Sequence, residues 1–198
     1  MLRVKSFILC VFVMLLLSFV GSKAVAADYS ANTSDALINR AITLMEDTYM
    51  TSSIKVLQGD NSTGQAIEVK FANLSAISID YMSANAVTVV NEDGKMVIYI
   101  SKSFKTAPAE AIACLIRHET THNDERCSIE EEVRAWTNEA AAWVYFKSRN
   151  PGLARTEASS SKLVVRLDYL SNLYKAGGNS LIRKEVLANG MYSQLAMR

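Results

Sequence analysis

The spacing of apolar residues changes several times along the chain, and each change marks an element. A nearly unbroken apolar run from Phe7 to Val20 comes first. Between Asn32 and Tyr49 the positions Leu37, Ile38, Ala41, Ile42, Met45 and Tyr49 recur at helical spacing. They predict an amphipathic first helix, capped by Thr33 or Ser34 with Asp35 in its first turn. The pattern then turns to short stretches rich in β-branched and aromatic residues, "SIKVL", "AIEVKF", "SAISIDYM", "AVTVV" and "KMVIYI", separated by Gly, Asn and Asp. These predict strands. The Asp-Gly pair in "NEDGK", between Val90 and Met96, predicts a hairpin and hence at least one antiparallel pair.

Helical spacing returns after Ser101. Thr106 offers a cap, Pro108 sits in a first turn where its missing N–H costs nothing, and Glu110 faces the positive end of the helix dipole. Ile112, Leu115 and Ile116 carry this helix to about His122. The polar link "NDERC" precedes a further helix from Ile129 to about Arg149, stopped by "NPG", with Val133, Trp136, Ala140, Trp143 and Val144 as its buried residues. Two more amphipathic helices are expected near Ser160–Tyr174 and Ser180–Ala196, on either side of "KAGGNS". The order of helix, strands, then helices is that of an α+β fold, with a small, mostly antiparallel sheet and later helices packed on it.

Composition changes the picture at the N-terminus. Arg3 and Lys5 precede the apolar run, and Ala24 and Ala26 follow it as an A-x-A cleavage site, so residues 1–26 read as a secretory signal peptide. The alternative is an uncleaved anchor. Residues 27–198 are then a single domain, exported to a periplasm or secreted, with no stable membrane anchor after cleavage. With 21 basic and 20 acidic residues and no basic run, nucleic acid is not an expected partner. Cys10 lies in the apolar run. Cys114 and Cys127 remain in the exported part, where an oxidising compartment makes a disulfide between them an expectation, beside the alternative of two free thiols.

Both histidines of the chain fall in one pentapeptide, His118-Glu119-Thr120-Thr121-His122, which is H-E-x-x-H. Residues four apart share a helix face, so both imidazoles can reach one zinc ion at roughly 2 Å, and Glu119 projects toward water at that ion as a general base. Zinc lowers the pKa of such a water to near 7, within reach of a carboxylate. The bland alternative is an amphipathic helix whose histidines meet solvent. A third protein ligand is wanted, and position 128 is serine, which excludes a third histidine at the spacing that metzincins use. Among the three glutamates that follow, Glu131 closes a capping box with Ser128, and Glu130 complements the helix dipole. Glu132 heads a stripe with Trp136, Glu139 and Trp143 whose aromatic members want burial, and it is the one left for a metal. Glu131 and Cys114 remain alternatives for the third ligand. Glu139 reads as an ordinary polar residue rather than a partner for an imidazole N–H. Tyr99, Tyr145, Tyr169, Tyr192 and Arg117 are all candidates to stabilise an oxyanion.

"HETTH" followed by "EEEVRAW" resembles the zincin metallopeptidases of the gluzincin type, in particular the minigluzincin-like pattern H-E-x-x-H and then E-x-x-A. The resemblance covers about Lys95 to Trp143. It implies a zincin-like fold, zinc on His118, His122 and Glu132 with Ala135 as the alanine, and a peptide or protein substrate. It also implies that "MVIYIS" is an edge strand along which the peptide lies extended. The chain departs from the pattern at Trp136, where many relatives carry an aspartate or asparagine that supports the site. The function expected is peptide hydrolysis by an exported zinc enzyme. The alternatives are a scaffold protein of the cell envelope with structural zinc or a degenerate site, and an amidase acting on a non-peptide substrate.

Overall fold

The computed structural model describes residues 28–123, 128–154 and 161–192. Within them lie five helices and one three-stranded sheet, so the α+β class expected from the sequence holds. Helix α1 (Ala36–Thr43) buries Ile38, Ala41 and Ile42. Its cap is Asp35, which accepts from the N–H groups of Leu37 and Ile38, and Thr33 instead supports Asp35 by accepting from its N–H. The helix stops earlier than its apolar spacing predicts. Turns follow, with Asp47 in the left-handed region at φ 51°.

The stretch "SIKVL", expected as a strand, belongs to helix α2 (Thr51–Leu57). Ser53, Ile54, Val56 and Leu57 are all buried against the core, and this tertiary burial outweighs the strand preference of two β-branched residues. Strand β1 (Glu68–Ala72) follows. "SAISIDYM" is not a strand either: Leu74–Ala76 and Ile79–Tyr81 form single 3-10 turns, and the Ser78 hydroxyl caps the second by accepting from the Asp80 N–H. Ser78 thereby offers the backbone a turn in place of a ladder.

Strands β2 (Ala86–Val90) and β3 (Met96–Ser101) form the expected hairpin, with Val87 opposite Tyr99 and Val90 opposite Met96. Gly94 supplies the left-handed residue of the turn at φ 74°, and the Asn91 carboxamide accepts the Lys95 N–H across it. The sheet order is β1-β3-β2, with β1 parallel to β3. The sheet is therefore mixed rather than mostly antiparallel. The stretch 73–85 forms no strand and carries the chain across, so β1 lands on the far side of β3. Strand β3, containing "MVIYIS", is central, and the edges are β1, whose Val69 N–H bonds Asn32 O, and β2, whose outer side pairs with no strand among the described residues. This corrects the edge strand expected from the sequence.

Helix α3 (Ala109–Glu119) has Pro108, not Thr106, at its N-cap, and nearly every residue of it is buried. Helix α4 (Ile129–Arg149) begins at Ser128, whose hydroxyl accepts from the Glu131 N–H, and ends before Pro151, as expected. Helix α5 (Lys162–Ala188) consists of two helical arms, as expected on either side of "KAGGNS", that meet at a kink where Gly177 and Gly178 leave helical geometry. Its two arms fold against each other: Leu170 of the first joins Ile182 and Val186 of the second in one cluster with Ile129, Val133 and Trp136 of α4. The second arm ends at Ala188, and a turn at Gly190–Tyr192 follows. The main core unites α1, α2, the sheet and α3 with Trp143 and Phe146 of α4 and Leu163, Val164 and Leu167 of α5. Burying each large aliphatic side chain there contributes about 1.5–3 kcal/mol. Among the described residues no helix is long and apolar enough to cross a membrane.

Candidate metal centre

Helix α3 ends at Glu119, and the backbone then tightens. Thr121 N–H donates to His118 O and His122 N–H to Glu119 O, both three residues back, so the pentapeptide spans the last helical turn and the turn after it. His118 and His122 still converge, with their Nε2 atoms 3.4 Å apart. The first turn of α4 brings Glu132 across: Oε1 lies 3.5 Å from His122 Nε2, and Oε2 lies 3.9 Å from His118 Nε2. Ligands about 2 Å from an ion in a tetrahedron stand roughly 3.3 Å from one another, so these separations leave room for one ion between them. His118, His122 and Glu132 thus form a group able to hold a metal ion. Glu132 Oε2 is buried and accepts no hydrogen bond among the described residues. A carboxylate oxygen so placed costs about 1–3 kcal/mol or more unless a cation faces it.

Each imidazole is held from behind. His118 Nδ1 lies 3.0 Å from Glu139 Oε2, and His122 Nδ1 lies 2.9 Å from Glu131 Oε1. Carboxylate acceptors at Nδ1 place the ring proton there and leave the Nε2 lone pair facing the centre. The Glu131 carboxylate therefore serves His122, where a return to the cap N–H is expected from the S-x-x-E pattern. Glu130 is exposed and pairs with Arg183. Burial works against a charged His118, but the hydrogen bond and charge of Glu139, with Glu119 and Glu132 nearby, hold its pKa above the ordinary histidine value.

Glu139 is fully buried and is gripped by Arg166 of α5 through both guanidinium nitrogens. Burial alone would raise its carboxyl pKa, yet the Arg166 charge and the His118 contact lower it to about 2. The guanidinium also lies over Trp136, 5.1 Å from the ring centre. Glu139 is thus not an ordinary polar residue. The signal was present in the stripe, because a carboxylate in line with Trp136 and Trp143 is buried with them and needs a partner. From one turn beyond Trp136 on α4 it supports His118.

Glu119 is 4 % exposed, and its Oε2 accepts from the Thr88 hydroxyl of β2 at 2.8 Å. Sequence reasoning did not single out Thr88, since a threonine in a strand carries no motif. A cleft of about 480 Å³ runs over the centre, walled by β2 on one side and by Trp136 and Tyr192 on the other. Of the oxyanion candidates, Tyr192 lines this cleft. Its phenol is the acceptor for Trp136 Nε1, and burial together with the Glu132 charge pushes its pKa up. Arg117 donates to Ser52 and Ser53, Tyr145 packs on Tyr49, Tyr99 faces Lys70, and Tyr169 interacts with Glu185, all away from the cleft. Cys114 is wholly buried, and burial raises its thiol pKa well above the ordinary value, which disfavours a thiolate ligand. It is not part of the group of three. Cys127, its expected disulfide partner, lies outside the described residues.

Comparisons of the chain with protein-family models, with curated proteins and with solved structures find no match. Fold and centre together define an α+β protein whose buried His118 and Glu132, with the half-buried His122, can bind a metal ion.

Proposed function

We propose that this chain is an exported zinc-dependent metallopeptidase of the gluzincin kind. The observation that carries the reading is the buried Glu132 carboxylate, whose Oε2 has no hydrogen-bond partner among the described residues and lies 3.9 Å from His118 Nε2, while its Oε1 lies 3.5 Å from His122 Nε2. Two nitrogens and one carboxylate suit zinc, and three protein ligands leave a position open, as hydrolytic sites require. A bound zinc would polarise a substrate carbonyl and make water acidic enough to lose a proton near neutral pH. His118, His122 and Glu132 would hold it. Glu119, alongside in the same cleft, takes the proton of the attacking water and returns it to the departing amine. The Tyr192 phenol stands on the cleft wall as a donor for negative charge that develops on the carbonyl oxygen. The outer edge of β2 offers an extended peptide its main-chain hydrogen bonds. Export rests on the cleavage pattern at Ala24 and Ala26, in residues outside those described.

Metal analysis of protein purified without chelator, together with digestion of a mixed peptide library, tests this. Stoichiometric zinc is expected in the wild type and in Glu119→Gln, and none in His118→Ala. Glu119→Gln is expected to lose about a hundredfold or more of the peptide-bond cleavage. Equal cleavage by wild type and Glu119→Gln refutes the base, and metal-free wild type refutes the centre.

A further inference from the structure

Thr88 lies on the edge strand β2, opposite Ile98 of β3. Its hydroxyl donates to Glu119 Oε2 at 2.8 Å and stands 3.3 Å from the Glu119 backbone oxygen. One hydroxyl proton serves one acceptor well, and the nearer, ionisable oxygen is the stronger. The contact joins two elements, the last residue of α3 and the strand that walls the cleft. A glutamate side chain turns about three torsions, so a carboxylate without such a tether spreads over several rotamers. With Oε2 tied to β2, the second oxygen is the one left to face water in the cleft.

We propose that Thr88 is a positioning residue for the base: its hydroxyl holds Glu119 Oε2 so that Oε1 takes the proton, and it couples the orientation of Glu119 to the strand on which substrate lies. This rests on the peptidase reading above. Strand β2 then has two tasks. Its backbone receives the peptide, and its Thr88 side chain sets the carboxylate against the peptide's carbonyl, so a shift of the strand on docking moves the base with it.

The experiment compares wild type, Thr88→Val and Thr88→Ser, each zinc-loaded. Valine keeps the shape and strand preference of threonine and removes the hydroxyl, while serine keeps the hydroxyl. Thr88→Val is expected to bind zinc as wild type does and to lose about ten- to a hundredfold in kcat, with KM within about twofold. Thr88→Ser restores most of the loss, a rescue that a merely structural role would not produce. Crystals of the loaded proteins supply a readout independent of turnover: Glu119 keeps its contact with Thr88 in the wild type and takes another rotamer in Thr88→Val. Wild-type kcat in the valine variant overturns the proposal. So does a loaded wild-type crystal with Thr88 out of reach of Glu119. If the wild type cleaves no peptide, the peptidase reading fails on its own, and the crystals decide the positioning, with one Glu119 conformer common to wild type and Thr88→Val overturning it.

Discussion

Both imidazoles enter the centre with Nδ1 already engaged by a carboxylate, so their orientation is set before an ion arrives. The tie through His118 runs further, because Glu139 is held in turn by Arg166. The Glu139 carboxyl sits at about 2 against an ordinary 4.5. A depressed carboxyl contributes stability that is complete above its unfolded value and disappears as pH falls through its folded value. Glu139→Gln is therefore expected to cost about 3 kcal/mol near neutral pH, since it leaves the Arg166 charge without its partner. The gap from wild type should then narrow as pH falls from 4.5 toward 2. Urea unfolding of chelator-treated proteins across that range measures it, and a gap that stays constant through the window refutes the assignment. Glu139 and Glu131 show where side-chain roles escape linear reading. Glu131 has a sufficient local task in the capping box, Glu139 stands in a stripe that demands a partner without naming it, and only the approach of α3 to α4 reveals the histidine that each one serves.

At the level of elements, the bend in α5 decides what reaches the cleft. A straight helix would carry its second arm away from α4. Gly178, at φ 56° and ψ −143°, turns the chain back so that Ile182 and Val186 pack on α4 and Tyr192 arrives beside Trp136. Side chains avoid that backbone region, and Gly178→Ala is expected to lower stability by about 1–3 kcal/mol in urea unfolding. A change within experimental error would show that the turn tolerates another geometry. Gly177 is constrained differently: a Cβ there would meet Leu181 Cγ at 2.6 Å. The "KAGGNS" break was legible for this reason, as was the Asp-Gly hairpin, since both depend on backbone freedom that few residues have. "SIKVL" and "SAISIDYM" were not. β-Branched residues favour strands only where a neighbouring strand is present, and for these two segments the core supplied a helical pocket and a capped turn instead.

In the whole molecule the centre links the end of α3, which lies deep in the main core, to the start of α4, which sits over the smaller cluster. An ion held by both would act as a staple between the two. Zinc at a hundred times its dissociation constant should stabilise the fold by about 2.7 kcal/mol, which for a domain of this size is a rise in Tm of roughly 5–10 °C. Differential scanning with zinc and then with chelator tests this, with His118→Ala as the variant expected to show no metal dependence. A wild type whose Tm ignores zinc would remove the staple. Leaving Glu131 and Cys114 beside Glu132 as candidates for the third ligand, the linear chain was sufficient for the class of fold, the helix that leads into the His118–His122 pentapeptide, the hairpin and the convergence of the two histidines. These follow from periodicity, turn chemistry and the fact that one helix face gathers residues four apart, all of which act within a few positions. The edge strand facing the cleft, the second carboxylates behind each imidazole, the Thr88 tether and the arrival of Tyr192 join residues 9–56 positions apart, or depend on which side of β3 the chain crosses. Only packing decides those, because burial couples groups by distance in space and not by distance along the chain.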